Sequence, residues 1–495
     1  MKLSQLLTAA GLESKILDCE ITALCCDSRQ AVPGCLFFAL VGSQEDGSQY
    51  IEAATKAGAV AIIIEDNSIA LSSITLIKVK DARLCMAKMA AAFFIYPSRK
   101  LALYGVTGTN GKTTTTYLIE HLLGPATTGL IGTINVRYPG FCQTATHTTP
   151  ESIQGQNLLA EMVKAGCKNV AMEVSSHALD QKRVHGMDFD ACIFTNLTQD
   201  HLDYHKTLND YFLAKQELFT TVLAQSMKPN KLAILNLDDP YTKKLLNALG
   251  QQKIRTFSLS DTSADVYPLS VTYRLTGTSA KLSWLGEEKT LESSLLGPHN
   301  LANLMGALLI GQHAGLSFED MAKKTEKLSV PGRLQRILSK TKPGFFVDYA
   351  HTPDALINVL KTLRAVMPQE GPARLVVVFG CGGDRDRSKR PLMGEACAQL
   401  ADLVILTSDN PRTEDAQKIL DDILPGVQKY QKPFDGKNGY QIEPDRKKAL
   451  RLATSTLRPE DVILVAGKGH EDYQIISKEK QPFDDAKILG ELLSC

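Results

Sequence analysis

The eleven cysteines form no Cys-x-x-Cys pair; they are scattered along the chain, with Cys25 and Cys26 adjacent and Cys495 last. That spacing excludes the framework of a disulfide-stapled secreted domain and suits a reducing compartment. Long apolar runs are also missing. None approaches the roughly 18 residues of a membrane-crossing helix, and Leu6-Leu7-Thr8-Ala9-Ala10 reaches Glu13 before any signal core forms. Charge of one sign is lacking too: 55 Lys plus Arg stand against 54 Asp plus Glu. No chain-wide basic field is available for nucleic acid, so an anionic ligand must be held locally. The guanine-reading N-K-x-D and the D-x-x-G of switch GTPases are absent, as are repeats and low-complexity segments. These absences predict a soluble cytoplasmic protein with no nucleic-acid partner and no membrane insertion; a monomer with small-molecule substrates is the accompanying expectation.

The chain has 495 residues, 44% of them hydrophobic. That is too long for one core and implies about three domains at roughly 150 residues each. Residues 1–97 alternate strand-like CLFFALVG and AVAIIIED with a helical IEAATKAGA. Residues 98–331 open on a buried strand, Lys100 to Val106, that runs into a Gly-rich loop and a helix beginning near Thr113. They continue through KNVAMEVS, ACIFTNL and KLAILNL, a β-like stretch near 265–295 and a helical HNLANLMGALLIGQHAG, and VPGR supplies a Pro-Gly break and a hinge. In residues 332–495, GFFVDYA, ARLVVVFG, DLVILTS and DVILVAG alternate with helical stretches after Pro353, Pro391, Thr413 and Arg446. This pattern predicts an α/β protein whose last domain is a Rossmann-like doubly wound parallel sheet.

GVTGTNGKTTTT, residues 105–116, has the chemistry of a P-loop. Glycines let backbone N–H groups surround phosphate oxygens, Lys112 brings a cation to the β- and γ-phosphates, and Thr113 can ligate Mg²⁺. A strict G-x-x-x-x-G-K-T needs glycine where Val106 stands, so the fit is imperfect. GCGGDR fails as a dinucleotide fingerprint because Arg385 occupies the last glycine position. Glu173, ending an apolar strand, could hold Mg²⁺, and His201 in TQDHLDYH could add a ligand; either taken singly is more often an ordinary polar residue. TSDNPRTED, residues 407–415, places Arg412 on a proline-stiffened turn after a strand. It reads either as a plain strand-to-helix turn capped by Asp409 or Thr413 or as a guanidinium aimed at an anion. Polar clusters at Asp348-Tyr349-Ala350-His351, residues 380–385, Asp409-Asn410-Pro411-Arg412 and Gly467 to Glu471 all follow strands. In a parallel sheet they share one edge, which favours the binding reading.

Taken in order, these motifs resemble the Mur ligase family of peptidoglycan synthesis, and within it the members that add the third peptide residue. The resemblance covers the whole chain. It implies an N-terminal uridine-nucleotide domain, a central P-loop ATPase domain and a C-terminal amino-acid domain. It also implies ATP-dependent, ADP-forming amide ligation of meso-diaminopimelate to the D-Glu γ-carboxylate of UDP-N-acetylmuramoyl-L-alanyl-D-glutamate, through an acyl phosphate. Ser28 and Arg29 in CDSR, Thr148 and Thr149 in HTTP, and Ser175, Gln181 and Arg183 in VSSHALDQKR would contact the UDP-muramoyl-dipeptide. ATP would meet Gly108, Thr109, Asn110, Gly111, Lys112, Thr113 and Thr114, with Asn300, Asn303, Arg333 and Asp348. Mg²⁺ would be held by Thr113, Glu173, His201 and Lys215, the last as a carbamate (N6-carboxylysine) rather than an ordinary helical lysine beside Glu217. Diaminopimelate would contact Arg385, Asp409, Asn410, Pro411, Arg412, Gly467 and Glu471. Gln335 departs from the acid expected in many relatives. L-lysine as the added residue, folylpolyglutamate synthesis and a P-loop ATPase that is not a ligase are the competing readings.

Overall fold

The structure is a computed structural model that describes residues 1–12, 18–42, 46–65, 74–201, 204–339, 344–368, 371–458 and 460–494. Glu13, Asp66, Leu202, Asp203 and Cys495 therefore lie outside the described residues. The chain forms two compact units, residues 1–265 with 305–317 and residues 266–304 with 318–495.

The first unit begins with a four-stranded parallel sheet, Ala23–Cys25, Cys35–Ala39, Ala61–Ile64 and Thr75–Lys78, in that order. CLFFA and AIII are buried throughout, as expected of parallel strands covered on both faces. Leu36, Phe38 and Ile63 pack under Leu3, Leu6, Met86 and Met89. Their alternating neighbours Phe37, Ala39, Ile62 and Ile64 face Ile51 and Ala54. Further along, six parallel strands run in the order Ile254–Phe257, Leu232–Asn236, Ala191–Phe194, Ala102–Thr107, Asn169–Glu173 and Thr128–Ile131. An antiparallel hairpin, Asn135–Tyr138 and Phe141–Thr144, extends them. The strand expected from Lys100 starts at Ala102, because Pro97–Lys100 forms a 3₁₀ turn. Its helix spans Lys112–Leu123, one residue earlier than expected.

In the second unit the β-like stretch is an antiparallel meander, Val266–Arg274, Gly277–Trp284 and Glu287–Ser293. The doubly wound sheet follows, with parallel strands in the order Gly344–Asp348, Val462–Ala466, Leu375–Phe379, Leu403–Leu406 and Gly439–Ile442, and Gln335–Ile337 antiparallel at one edge. Leu356, Leu360, Cys397, Ile419 and Ile423 cover one face. Ala449, Leu450, Ala453 and Leu489 cover the other. The helix after TSDNPRTED is capped by Asp415, whose side chain accepts from Lys418 N. That corrects the cap expected at Asp409 or Thr413; Thr413 instead donates to Asp384 Oδ1 at 2.8 Å.

Candidate active site

The phosphate loop leaves the strand Ala102–Thr107 at the sheet's carboxyl edge, where Glu173 pairs in register with Val106. Gly108 has φ +148°, and a Cβ there would lie 1.9 Å from Thr195 Oγ1, so only glycine fits. Gly111, at φ +88°, is the left-handed cap of the helix that begins at Lys112. Lys112 Nζ folds back over the loop and donates to the carbonyls of Gly108 and Thr109, each at 2.9 Å. Thr109 Oγ1 donates to Thr198 O, and Asn196 Oδ1 accepts from Asn110 N at 2.9 Å. Thr113 and Thr114 are buried in the first helical turn.

Glu173 is fully buried, and no Lys or Arg among the described residues pairs with it. Its carboxylate accepts from Thr113 Oγ1 at 3.1 Å, Thr133 N at 2.8 Å and Thr133 Oγ1 at 3.0 Å. Thr133 is the site residue sequence reasoning missed here, because it sits 40 positions from Glu173 and carries no motif. Thr133 Oγ1 also lies 3.0 Å from Thr148 Oγ1. Thr149 Oγ1 donates to Glu173 O at 2.8 Å and accepts from Ser175 N at 3.0 Å. Ser175 caps the helix Ser176–Asp180. Arg183 Nη1 donates to Thr149 O at 2.8 Å, and its guanidinium also meets Gln181 Oε1 and Glu151 Oε1. Burial lowers the Arg183 pKa. The structure thus joins HTTP, VSSHALDQKR and the phosphate loop through Glu173. Ser28 and Arg29 lie on a short 3₁₀ turn, where Arg29 pairs with Asp27 at 2.8 Å.

Lys215, on the helix Leu208–Glu217, is almost wholly buried. Its Nζ donates to Gly108 O at 2.8 Å and lies 4.4 Å over the Tyr211 ring, whose hydroxyl donates to Thr109 Oγ1 at 3.2 Å. Burial, reinforced by the Lys112 ammonium, pushes the Lys215 pKa well below the usual lysine range. Glu217 does not neutralise it, being engaged by Lys182 at 2.5 Å and His185 at 3.0 Å. His201 adopts φ +53° and packs edge-on against His177, with ring centroids 4.9 Å apart.

In the second unit, Asp348 is buried at the end of Gly344–Asp348 and accepts from Leu334 N and Ala350 N. Burial raises its pKa. Arg333 lies 4.6 Å over the Tyr349 ring. Gln335 Oε1 accepts from Gly332 N at 2.9 Å, so it fastens the Pro331-Gly332-Arg333 turn in place of an acid. Asn300, on the helix Pro298–His313, donates to Leu296 O, and Asn303 is half-buried on that helix.

The four polar clusters do share the carboxyl edge of the parallel strands. Gly383 N donates to Asn410 O at 2.9 Å, and Arg412 Nη1 donates to Gly383 O at 2.6 Å. Arg412 holds φ +52°, with its N–H donating to Ile475 O. Asn410 Nδ2 donates to Glu471 Oε2 at 2.8 Å. Gly467, at φ +106°, lies beside Asp409 Oδ2, and Arg385 is exposed near Arg412 across Gly382. Burial raises the Asp409 pKa. Lys468, part of the Gly467 to Glu471 cluster but given no role by sequence reasoning, is fully buried among Asp409, Asn410 and Glu471.

Residues 20–103 match the catalytic domain of the Mur ligase family, 106–311 the Mur ligase middle domain and 332–469 the Mur ligase glutamate ligase domain. A relative from Thermosynechococcus vestitus, named UDP-N-acetylmuramoyl-L-alanyl-D-glutamate–2,6-diaminopimelate ligase, is 44% identical over 495 residues, covering 98% of this chain and 96% of the relative. One of the same name from Geobacter metallireducens is 45% identical over 485 residues, covering 95% and 94%. A solved structure of a ligase of that name superposes with TM-score 0.73 at 34% identity, covering 100% of this chain and 99% of the other. The phosphate loop, the buried Glu173 and the polar sheet edge thus sit in a chain matched over nearly its whole length, and this chain belongs to the Mur ligase family.

Proposed function

We infer that this chain ligates meso-2,6-diaminopimelate to the D-Glu γ-carboxylate of UDP-N-acetylmuramoyl-L-alanyl-D-glutamate, with ATP converted to ADP and phosphate. The observation that carries this reading is identity of 44% and 45%, over nearly the whole chain, to relatives named for that ligation. The chemistry follows from the leaving group. Oxide cannot be expelled from a carboxylate at neutral pH, so a carboxylate oxygen first attacks the γ-phosphorus, the bond to the β-phosphate oxygen breaks, and ADP leaves. The amine nitrogen then attacks the acyl carbon, the carbon–oxygen bond to phosphate breaks, and the nitrogen loses a proton.

Two anions must meet in the first step, and Lys112 supplies a cation at the loop to screen their repulsion. Backbone N–H groups of residues 108–114 would surround the nucleotide phosphates, and Asn300, Asn303, Arg333 and Asp348 are assigned to the nucleotide as well. Mg²⁺ typically takes one or two carboxylates together with substrate phosphates. Among the described residues no group of three or more His, Cys, Asp or Glu side chains is arranged to hold a metal ion. The buried Glu173 carboxylate beside the Thr113 hydroxyl supports that sparse oxygen set. We assign Thr113, Glu173, His201 and a carbamylated Lys215 to the ion, which would offset charge on the phosphates. A low-pKa amine is the form that reacts with CO₂, and the resulting anion would no longer oppose the metal.

The sugar-nucleotide is assigned to Ser28, Arg29, Thr148, Thr149, Ser175, Gln181 and Arg183. Diaminopimelate is assigned to Arg385, Asp409, Asn410, Pro411, Arg412, Gly467 and Glu471. Functional domains at 1–97, 98–331 and 332–495, a monomeric state and a cytoplasmic setting belong to the same proposal; no helix among the described residues is long and apolar enough to cross a membrane. A phosphate-release assay tests it: phosphate should appear only when ATP, the UDP-muramoyl-dipeptide and diaminopimelate are all present. Release with ATP alone would favour an ATPase that is not a ligase.

A further inference from the structure

We propose that Lys468 is a positioning residue that sets amino-acid specificity by orienting Asn410 and Glu471 toward the distal ammonium of a diamino diacid. Lys468 is fully buried, so it does not itself meet a ligand. Its ammonium has three N–H donors, and three acceptors face it: Glu471 Oε2 at 3.0 Å, Asn410 Oδ1 at 3.1 Å and Asp409 Oδ1 at 3.4 Å. Asn410 Oδ1 accepts from Ile475 N as well, at 2.9 Å. With two donors on the oxygen, the amide is turned so that Nδ2 donates to Glu471 Oε2 at 2.8 Å.

The Asn410 amide and the Lys468 ammonium thus converge on one oxygen of Glu471, and among the described residues Oε1 accepts from none. Two carboxylates, Asp409 and Glu471, share this one ammonium. The nearby Arg446 is already paired with Asp485 at 2.7 Å. Within this contact set two carboxylates meet one ammonium, and Glu471 Oε1 is left as the acceptor that a ligand ammonium would meet. Without Lys468 the Asn410 oxygen keeps only the Ile475 N–H and Glu471 keeps only the Asn410 amide, so both side chains are held more loosely.

The inference rests on the assignment of this edge to diaminopimelate, and the test separates the two. The probe is 2-aminopimelate, which keeps the attacking amine and the distal carboxylate but lacks the distal amine. The wild-type enzyme should prefer diaminopimelate over it by about 100-fold in kcat/KM, the modest end of what a charged polar site achieves against an analogue missing its partner. Lys468→Met should bring that preference below about 10-fold, with the ATP KM unchanged. Added to Glu471→Gln, it should lower the preference little further, as expected of residues acting as one unit. The ratio is independent of how much enzyme is folded, and Lys468→Gln repeats the test with a polar side chain should the Met variant not accumulate. A preference kept at the wild-type level in either variant overturns the role of Lys468. A wild-type enzyme that uses both compounds equally overturns the ammonium assignment instead.

Discussion

Lys215 Nζ donates to the Gly108 carbonyl at 2.8 Å, which brings a buried amine from the helix Leu208–Glu217 onto the phosphate loop. Burial, with the Lys112 ammonium close by, lowers the pKa of this amine well below the usual lysine range. As a carbamate Lys215 would present anionic oxygens to the metal, so Lys215→Ala is expected to be nearly inactive and partly restored by acetate. Phosphate release with and without acetate checks this, and full activity without rescue would remove the carbamate from the account.

Glu173→Gln should raise the Mg²⁺ concentration for half-maximal activity by about tenfold or more, the scale on which groups around a metal are felt. The neutral amide preserves shape and can keep an oxygen for the Thr133 N–H, while its NH₂ makes the Thr113 and Thr133 hydroxyls acceptors instead of donors. An unchanged Mg²⁺ requirement would place the ion elsewhere.

At Gly383 an added Cβ would lie 1.9 Å from the Pro411 carbonyl oxygen. Gly383→Ala is therefore expected to displace the Asp409–Arg412 turn, raising the diaminopimelate KM by about tenfold while costing about 1–3 kcal/mol of stability. The ATP KM should stay near wild type. Parallel kinetics and thermal melting test this, and an unaltered diaminopimelate KM would contradict it.

Arg390, almost fully buried, pairs with Glu414 at 2.7 Å, and its hydrogen bonds, helped by Asp384 N, hold the Glu414 pKa down to about 2 from 4.5. A depressed carboxyl stabilises the fold above its unfolded pKa and loses that contribution as pH falls through its folded one. Wild type should thus melt above Glu414→Gln at pH 7, and the gap should close between pH 4.5 and about 2. A gap constant over that window would rule out the linkage.

The parts legible in the sequence are those where local chemistry dictates geometry. Gly108 and Gly111 need left-handed backbone, Pro411 stiffens its turn, and continuous apolar runs mark the buried parallel strands. What the sequence hid depends on long-range partners. Thr133 matters because the bend between Thr128–Ile131 and Asn135–Tyr138 brings it to Glu173, Gln335 because it closes on Gly332, and Lys468 because the sheet edge surrounds it with acceptors. The cap at Asp415 rather than Asp409 follows from the same cause, since Asp409 is drawn into contact with Lys468.

The central claim is that the amino acid added is meso-diaminopimelate and that Arg412 recognises its distal carboxylate. The most direct measurement offers wild type and Arg412→Ala the UDP-muramoyl-dipeptide, ATP and either diaminopimelate or L-lysine, and weighs the products by mass spectrometry alongside kcat/KM. The wild-type enzyme should favour diaminopimelate by about 10³-fold or more, as a site that must pair a charged group rejects the analogue lacking it. Arg412→Ala should narrow that gap through the diaminopimelate KM, with ATP affinity nearly unchanged. Equal use of lysine and diaminopimelate by the wild-type enzyme would contradict the account.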